Sequence, residues 1–159
     1  MTVYHGSTVV VEAPDVTHSY RSLDFGRGFY VTSVREQAVK WAKRKAFLNG
    51  SEKSVLNIYE MSTDHDGFKV KTFDDDPDEW IDFVCACRDG ETGFLDYDII
   101  IGRVADDKVF RVVDLYRSGV WDKERALKEM RAYEKYDQIA FINQTAADRL
   151  LRFAGFTEV

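Results

Sequence analysis

The strand-like runs of this chain are short, and helical patterns fall between them at uneven intervals, so no strand–helix unit repeats. A doubly wound parallel sheet needs that repeat, whereas an α+β domain does not. Arg27 between Gly26 and Gly28 matches neither G-x-G-x-x-G nor a P-loop, so a Rossmann-type site has no support. With 159 residues, 45% of them apolar, the chain can build one core but not two, and a single α+β domain over 1–159 is expected.

Strands are expected around Val3-Tyr4-His5 and over 8–11, 29–32, 54–60, 68–73 and 97–104, with the last of these turning at Asp106-Asp107 into a hairpin that returns through 109–113. A further strand is expected at 139–142. Ser33 followed by Glu36 reads as a capping box for a helix with Val34, Ala38, Trp41, Ala42 and Leu48 on one face, stopped at Asn49-Gly50. Asp76-Pro77 starts a second helix that buries Trp80, Phe83, Val84 and Cys87. Asp122 caps a third, carrying Leu127, Met130 and Tyr133, and Thr145 with Asp148 opens a terminal helix running to about Phe153 and ending at Gly155.

The formal net charge of -6 leaves no broad basic field, so nonspecific attraction to nucleic acid is unfavourable overall. The strip Lys40, Lys43, Arg44, Lys45 is the exception and reads as the wet face of a helix. Cys85 and Cys87 are two apart, without C-x-x-C spacing, and read as structural. No apolar run reaches transmembrane length and the start has no basic segment before a hydrophobic one, which gives no membrane and a cytoplasmic location as the expectation.

His5, His18 and His65 show no metal-ligand spacing, and no metal is expected. No serine sits in G-x-S-x-G, so Ser7, Ser19 and Ser22 make no hydrolase motif. His5-Gly6-Ser7 directly after a strand reads in two ways: a surface turn, or a place where the backbone of Gly6 approaches a ligand while His5 and Ser7 hold hydroxyls. The stretch Asp24-Phe25-Gly26-Arg27-Gly28-Phe29-Tyr30 reads as a tight loop presenting a ring. Tyr30 and Trp41 are either core residues or two walls around a planar ligand. Asp24, Asp98, Asp106 and Asp107 suit loops and turns.

Val3 to Ser7, Leu23 to Thr32 and Glu36 to Ala42, with Trp80 to Val84, Tyr97 to Gly102, Val104 to Asp107 and Tyr136 to Phe141, resemble the bacterial DUF3990 family of ADP-ribosyltransferase-like proteins, over nearly the whole chain. The resemblance implies two small antiparallel sheets forming an NAD cleft with flanking helices, and the His, Tyr, Glu chemistry of the diphtheria-toxin and poly-ADP-ribose polymerase branch. On this chain His5 would hold a ribose hydroxyl on the adenosine or the nicotinamide side. Gly6 would clamp the nicotinamide amide, Ser7 would assist at a ribose, Tyr30 and Trp41 would stack, and Arg21 and Arg27 would meet the pyrophosphate. The third catalytic position falls on Gln138, an amide in place of a carboxylate, unless Glu60 or Asp98 reaches the site. Asp137 points to the other face of its strand by alternation.

The activity implied is transfer of ADP-ribose from NAD to a protein or nucleic-acid acceptor with release of nicotinamide. By the same resemblance the chain would be the toxin of a toxin-antitoxin pair with a small cognate antitoxin. The alternatives are a catalytically weak NAD- or ADP-ribose-binding protein, an NAD glycohydrolase and an interaction domain.

Overall fold

The computed structural model describes residues 1–19, 23–73, 77–105, 107–133 and 136–159. Two small sheets form its centre. The first holds β1 (Thr2–Ser7), β3 (Val55–Met61) and β7 (Leu151–Glu158) in the order β1-β3-β7, antiparallel throughout. The second holds β2 (Phe29–Val31), β6 (Asp137–Phe141), β5 (Ile99–Arg103) and β4 (Val70–Thr72) in the order β2-β6-β5-β4. Its pairs are antiparallel except β4 with β5, which is parallel, so the expectation of wholly antiparallel sheets is corrected at that edge.

Alternation along the strands sorts side chains into two cores. Phe29, Val31, Ile99, Ile139 and Phe141 of the second sheet meet Val3, Tyr59 and Leu151 of the first in an inner core, which Ala146, Ala147 and Leu150 of α5 (Gln144–Leu150) complete. Their neighbours Ile100 and Ala140 point the opposite way, into an outer core beneath α2 (Pro77–Arg88), α3 (Asp107–Arg117) and α4 (Lys123–Arg131). Trp80 is fully buried there and its indole N–H donates to the Arg103 carbonyl at 3.0 Å, so the large ring is buried without an orphaned donor. On the far side of the first sheet lies α1 (Arg35–Asn49), packed through Ala38, Ala42 and Ala46.

The segment expected to return as a hairpin strand is α3 instead. Val109, Val112, Val113 and Tyr116 fall at i, i+3, i+4 and i+7, one helical stripe that covers the outer core, and this burial outweighs the β propensity of the valines. Asp106 lies outside the described residues. The terminal helix is also shorter than expected: it ends at Leu150, and β7 runs on to Glu158 by filling the second edge of β3. Gly155 does not stop a helix; it sits where the β3–β7 register shifts.

Four smaller expectations change as well. Strand β1 stops at Ser7 because its partner β3 begins at Val55, so Val9 and Val10 are exposed and no strand forms over 8–11. Only Val70–Thr72 of the expected strand over 68–73 pairs. The capping box is absent: Val34 occupies the N-cap without a side-chain bond, and Thr32 Oγ1 accepts from the Val34 amide at 3.0 Å. On α1 the buried face is alanine, while Trp41 and Leu48 are 47% and 68% exposed. Asp76 lies outside the described residues, whereas Pro77 opens α2, and Asp122 caps α4 by accepting from the Arg125 amide at 2.9 Å, as expected. Cys87 is buried, and burial pushes its thiol up to about 12, so it is no nucleophile at neutral pH.

Candidate functional site

The two sheets touch edge to edge at one place. Tyr4 donates to the Thr32 carbonyl at 2.8 Å and accepts from the Thr32 amide at 3.0 Å, forming an isolated bridge between β1 and the residue after β2. Because Tyr4 spends both peptide groups on this side, alternation points those of Gly6 to the same side, away from its β3 partner Leu56. Among the described residues no strand pairs with β1 there, so the main chain of Gly6, itself buried, is left unpaired opposite Tyr30.

The absence of a side chain at Gly6 is a packing requirement. A Cβ there would lie 2.3 Å from the Ala38 carbonyl oxygen and 2.7 Å from the Ala42 nitrogen, both backbone atoms of α1. The helix therefore rests directly on the strand.

His5 and Ser7 lie on the inner face of β1. The His5 ring stacks on Phe29 with centroids 4.4 Å apart, and Nδ1 is 2.7 Å from the Tyr30 carbonyl. A carbonyl only accepts, so Nδ1 carries the proton. Burial, then the nearby Lys45 charge, pushes His5 down to about 4 against the support of that carbonyl, with His18 adding to the effect. At neutral pH the ring is uncharged, and its Nε2, without a hydrogen bond among the described residues, presents a lone pair. Ser7 is buried and accepts weakly from the Val9 amide at 3.4 Å.

Tyr30 and Gln138 lie on the outer face. Tyr30 stands opposite Ala140, and Gln138 is two residues before Ala140 on the same strand. The Tyr30 hydroxyl donates to the Gly26 carbonyl at 2.6 Å and accepts from the Phe25 amide at 3.1 Å, cinching the loop before β2. Burial and then the Asp24 carboxylate raise its hydroxyl far above the ordinary range, so it stays a donor. Gly26 makes that loop possible with φ of 78° and with the Phe94 ring where a Cβ would stand.

Gln138 is buried, and its Nε2 donates to the Arg103 carbonyl at 3.2 Å and to Asp24 at 3.4 Å. These two acceptors fix the orientation of the amide and leave Oε1 as its acceptor. Asp24 is in turn gripped by Arg88, with contacts of 2.6 and 3.1 Å, and accepts from the Ala105 amide at 3.2 Å. The carboxylate nearest Gln138 is therefore already neutralised by a guanidinium. Asp137, on the opposite face as alternation predicts, accepts from the Thr32 hydroxyl at 2.7 Å and the Ser33 amide at 3.0 Å. Glu60 accepts from the Thr2 hydroxyl at 2.9 Å, near the end of β1 away from Gly6, and Asp98 accepts from the Lys69 amide at 2.8 Å.

The structure thus brings Tyr30 and Gln138 to one face and sets the His5 ring on the other, joined to them through the Tyr30 carbonyl. Arg27 is exposed, Trp41 is half in solvent with Arg44 near its ring, and Arg21 lies outside the described residues. Asn57 is fully buried and was not singled out by the sequence. It accepts from the Val11 amide at 2.8 Å and donates to the Val9 carbonyl at 3.1 Å, folding the loop after Ser7 back over the sheet. A polar residue inside an apolar alternating strand was its signal.

Two concavities lie elsewhere: about 530 Å³ lined by Glu60, Ser62, Asp148 and Arg149 among others, and about 310 Å³ between α3 and α4 lined by Lys108, Arg111, Trp121 and Glu129 among others. Neither includes His5, Gly6, Tyr30 or Gln138. Among the described residues no group of three or more His, Cys, Asp or Glu could hold a metal, and no helix is long and apolar enough to cross a membrane.

No curated protein and no solved structure matches the chain. One family model does, over residues 1–153, with the description "Protein of unknown function (DUF3990)". That span takes in the seam, the outer helices and all but the last part of β7, and the chain belongs to the DUF3990 family.

Proposed function

We propose that the chain binds NAD at the seam between its sheets and transfers ADP-ribose to a protein or nucleic-acid acceptor, releasing nicotinamide. The observation that carries this reading is the unpaired main-chain edge of Gly6, buried and facing Tyr30 just past the Tyr4–Thr32 bridge. An unpaired peptide edge offers a donor and an acceptor to a planar amide such as nicotinamide. Beside it, the neutral His5 ring offers Nε2 to a ribose hydroxyl. The ADP-ribosyltransferase-like resemblance of the motifs around His5 and Tyr30 points the same way.

In such a transfer the bond from ribose C1′ to nicotinamide nitrogen breaks and nicotinamide leaves neutral with the bonding pair. The acceptor closes on C1′ and gives up its proton. Positive charge develops at the sugar in between, and a carboxylate nearby would stabilise it. Gln138 supplies only the dipole of Oε1, enough to orient a hydroxyl and weak as a counter-charge.

That substitution favours a second reading, an NAD- or ADP-ribose-binding protein with little turnover. NAD glycohydrolysis is the same chemistry with water as acceptor. A toxin role with a small cognate antitoxin rests on the resemblance alone.

The test follows label from adenine-labelled NAD into lysate protein and nucleic acid, with His5→Ala alongside. Label that survives denaturation and disappears with the variant supports transfer and identifies the acceptor class. Binding of NAD without transfer or nicotinamide release selects the second reading. Absence of both binding and turnover from folded protein rejects the NAD assignment.

A further inference from the structure

Helix α3 divides its charges between two sides. Asp114 and Arg117 turn toward α2, where Arg117 binds Asp89 at 2.5 Å and Asp114 lies 4.0 Å from Arg88. Lys108, Arg111 and Val112, at i, i+3 and i+4, form a second stripe, which lines the concavity of about 310 Å³ against α4. Glu129 of α4 lines it from the other helix, with Tyr133 just past the end of α4 and Trp121 just before its start.

The two rings are held in place by their neighbours. Trp121 and Tyr133 both pack against the outer core. The Arg125 guanidinium lies 4.4 Å from the Trp121 ring centroid, and the Lys108 ammonium lies 5.9 Å from that of Tyr133. Tyr133 donates its hydroxyl to Glu129 at 3.2 Å, which leaves that carboxylate further lone pairs. Arg111 differs: it is exposed and makes no hydrogen bond, ion pair or ring contact among the described residues. Aromatic surface, an unpaired guanidinium on the same stripe as an ammonium, and a carboxylate with spare acceptor capacity therefore open on one space.

We propose that the concavity between α3 and α4 binds a nucleoside monophosphate whose base carries an exocyclic amine. Arg111, with Lys108, takes the phosphate, Trp121 and Tyr133 cover the base, and Glu129 accepts from the amine. Inorganic phosphate would meet the cations but leave the rings uncovered and bring Glu129 no donor. A nucleoside would lack the charge, and a cationic aromatic amine would be repelled by Lys108, Arg111 and Arg125. The volume lies at the small end of ligand-sized cavities and suits one nucleotide unit rather than a dinucleotide. None of His5, Gly6, Tyr30 and Gln138 lines this cavity, so the site does not rest on the NAD reading.

The experiment is calorimetric titration of adenosine 5′-monophosphate, inosine 5′-monophosphate, adenosine and inorganic phosphate into the full chain, Arg111→Met, Arg111→Lys and His5→Ala. Adenosine 5′-monophosphate should bind the parent and His5→Ala alike, weaken about tenfold or more in Arg111→Met, as loss of a charge-assisted bond predicts, and recover in part in Arg111→Lys. Inosine 5′-monophosphate, with a carbonyl in place of the amine, should bind more weakly than the adenosine nucleotide, as should adenosine and phosphate. Arg111→Met should melt at the parent's temperature, since Arg111 has no partner to lose, which separates lost binding from lost folding. A 5′-phosphorylated oligoadenylate distinguishes the sources: Arg111-dependent binding tighter than that of the mononucleotide assigns the unit to a strand end, and weaker binding assigns it to the free nucleotide. The proposal is overturned if adenosine 5′-monophosphate fails to bind the parent, or binds Arg111→Met equally well. Equal affinity for inosine 5′-monophosphate overturns it too, and so does binding that His5→Ala abolishes while Arg111→Met leaves it intact.

Discussion

His5 couples the seam to pH. Its folded value of about 4 lies below the ordinary 6.5, so the unfolded chain binds the extra proton between those values. The stabilisation that this group contributes is complete above pH 6.5 and is lost as pH falls toward 4, for a total of about 3 kcal/mol. Melting temperatures measured from pH 4 to 7 should therefore fall less steeply on the acid side for His5→Gln than for the parent. Gln138 gives the opposite sign when altered. Glutamate there loses the donor to Asp24 and the Arg103 carbonyl and places a second carboxyl beside the first, which raises its pKa. Gln138→Glu should be destabilised by about 1–3 kcal/mol at pH 8 and recover as the pH is lowered toward 5, because the protonated acid can donate again. Urea unfolding at the two pH values measures this; a pH-independent deficit would mean that Asp24 and residue 138 do not interact.

At the level of elements, two junctions hold the seam. One is the contact of α1 with β1 at Gly6, where the neighbouring atoms are backbone and cannot swing aside. Gly6→Ala should cost about 1–3 kcal/mol in denaturant unfolding although it adds only a methyl group. The other is Arg88 at the end of α2, which grips Asp24 in the loop before β2, the two side chains being 9% and 13% exposed. Arg88→Met leaves that carboxylate sheltered without its guanidinium and should cost roughly 2–4 kcal/mol by the same measurement, less than a fully buried pair would. These junctions mark how far local sequence signals reach. Strand β3, strand β6 and the cap of α4 announce themselves through alternation and Asp122, and the inward and outward sorting of Ile139 and Ala140 follows from period two. Helix α3 does not, because its valines suit a strand and only the outer core beneath it selects the helix. The end of the chain reads as helix because the edge of β3 that recruits β7 lies about ninety residues earlier. In the site, His5, Gly6 and Tyr30 stand in compact motifs. Asn57 and Arg88 act through partners distant in sequence, which no local spacing encodes.

The molecule as a whole is layered: α1, the first sheet, the inner core, the second sheet, the outer core and the helices α2 to α4. The first sheet is assembled from the first, third and last strands of the described chain, with β3 in the middle. Removal of residues 151–159 should therefore do more than shorten an edge: it bares one whole side of β3 and the inner-core surface that Leu151 covers. The truncated chain should partition largely into the insoluble fraction on expression, which sedimentation and gel analysis would read directly. The same arrangement sets a timetable for biosynthesis. At about 5–20 residues per second, the ribosome needs roughly 5–20 s to pass from the end of β3 to β7. Through that interval an apolar strand with an unsatisfied edge waits for its second neighbour, so the nascent chain depends on chaperones, or on dilution, for longer than its size alone implies.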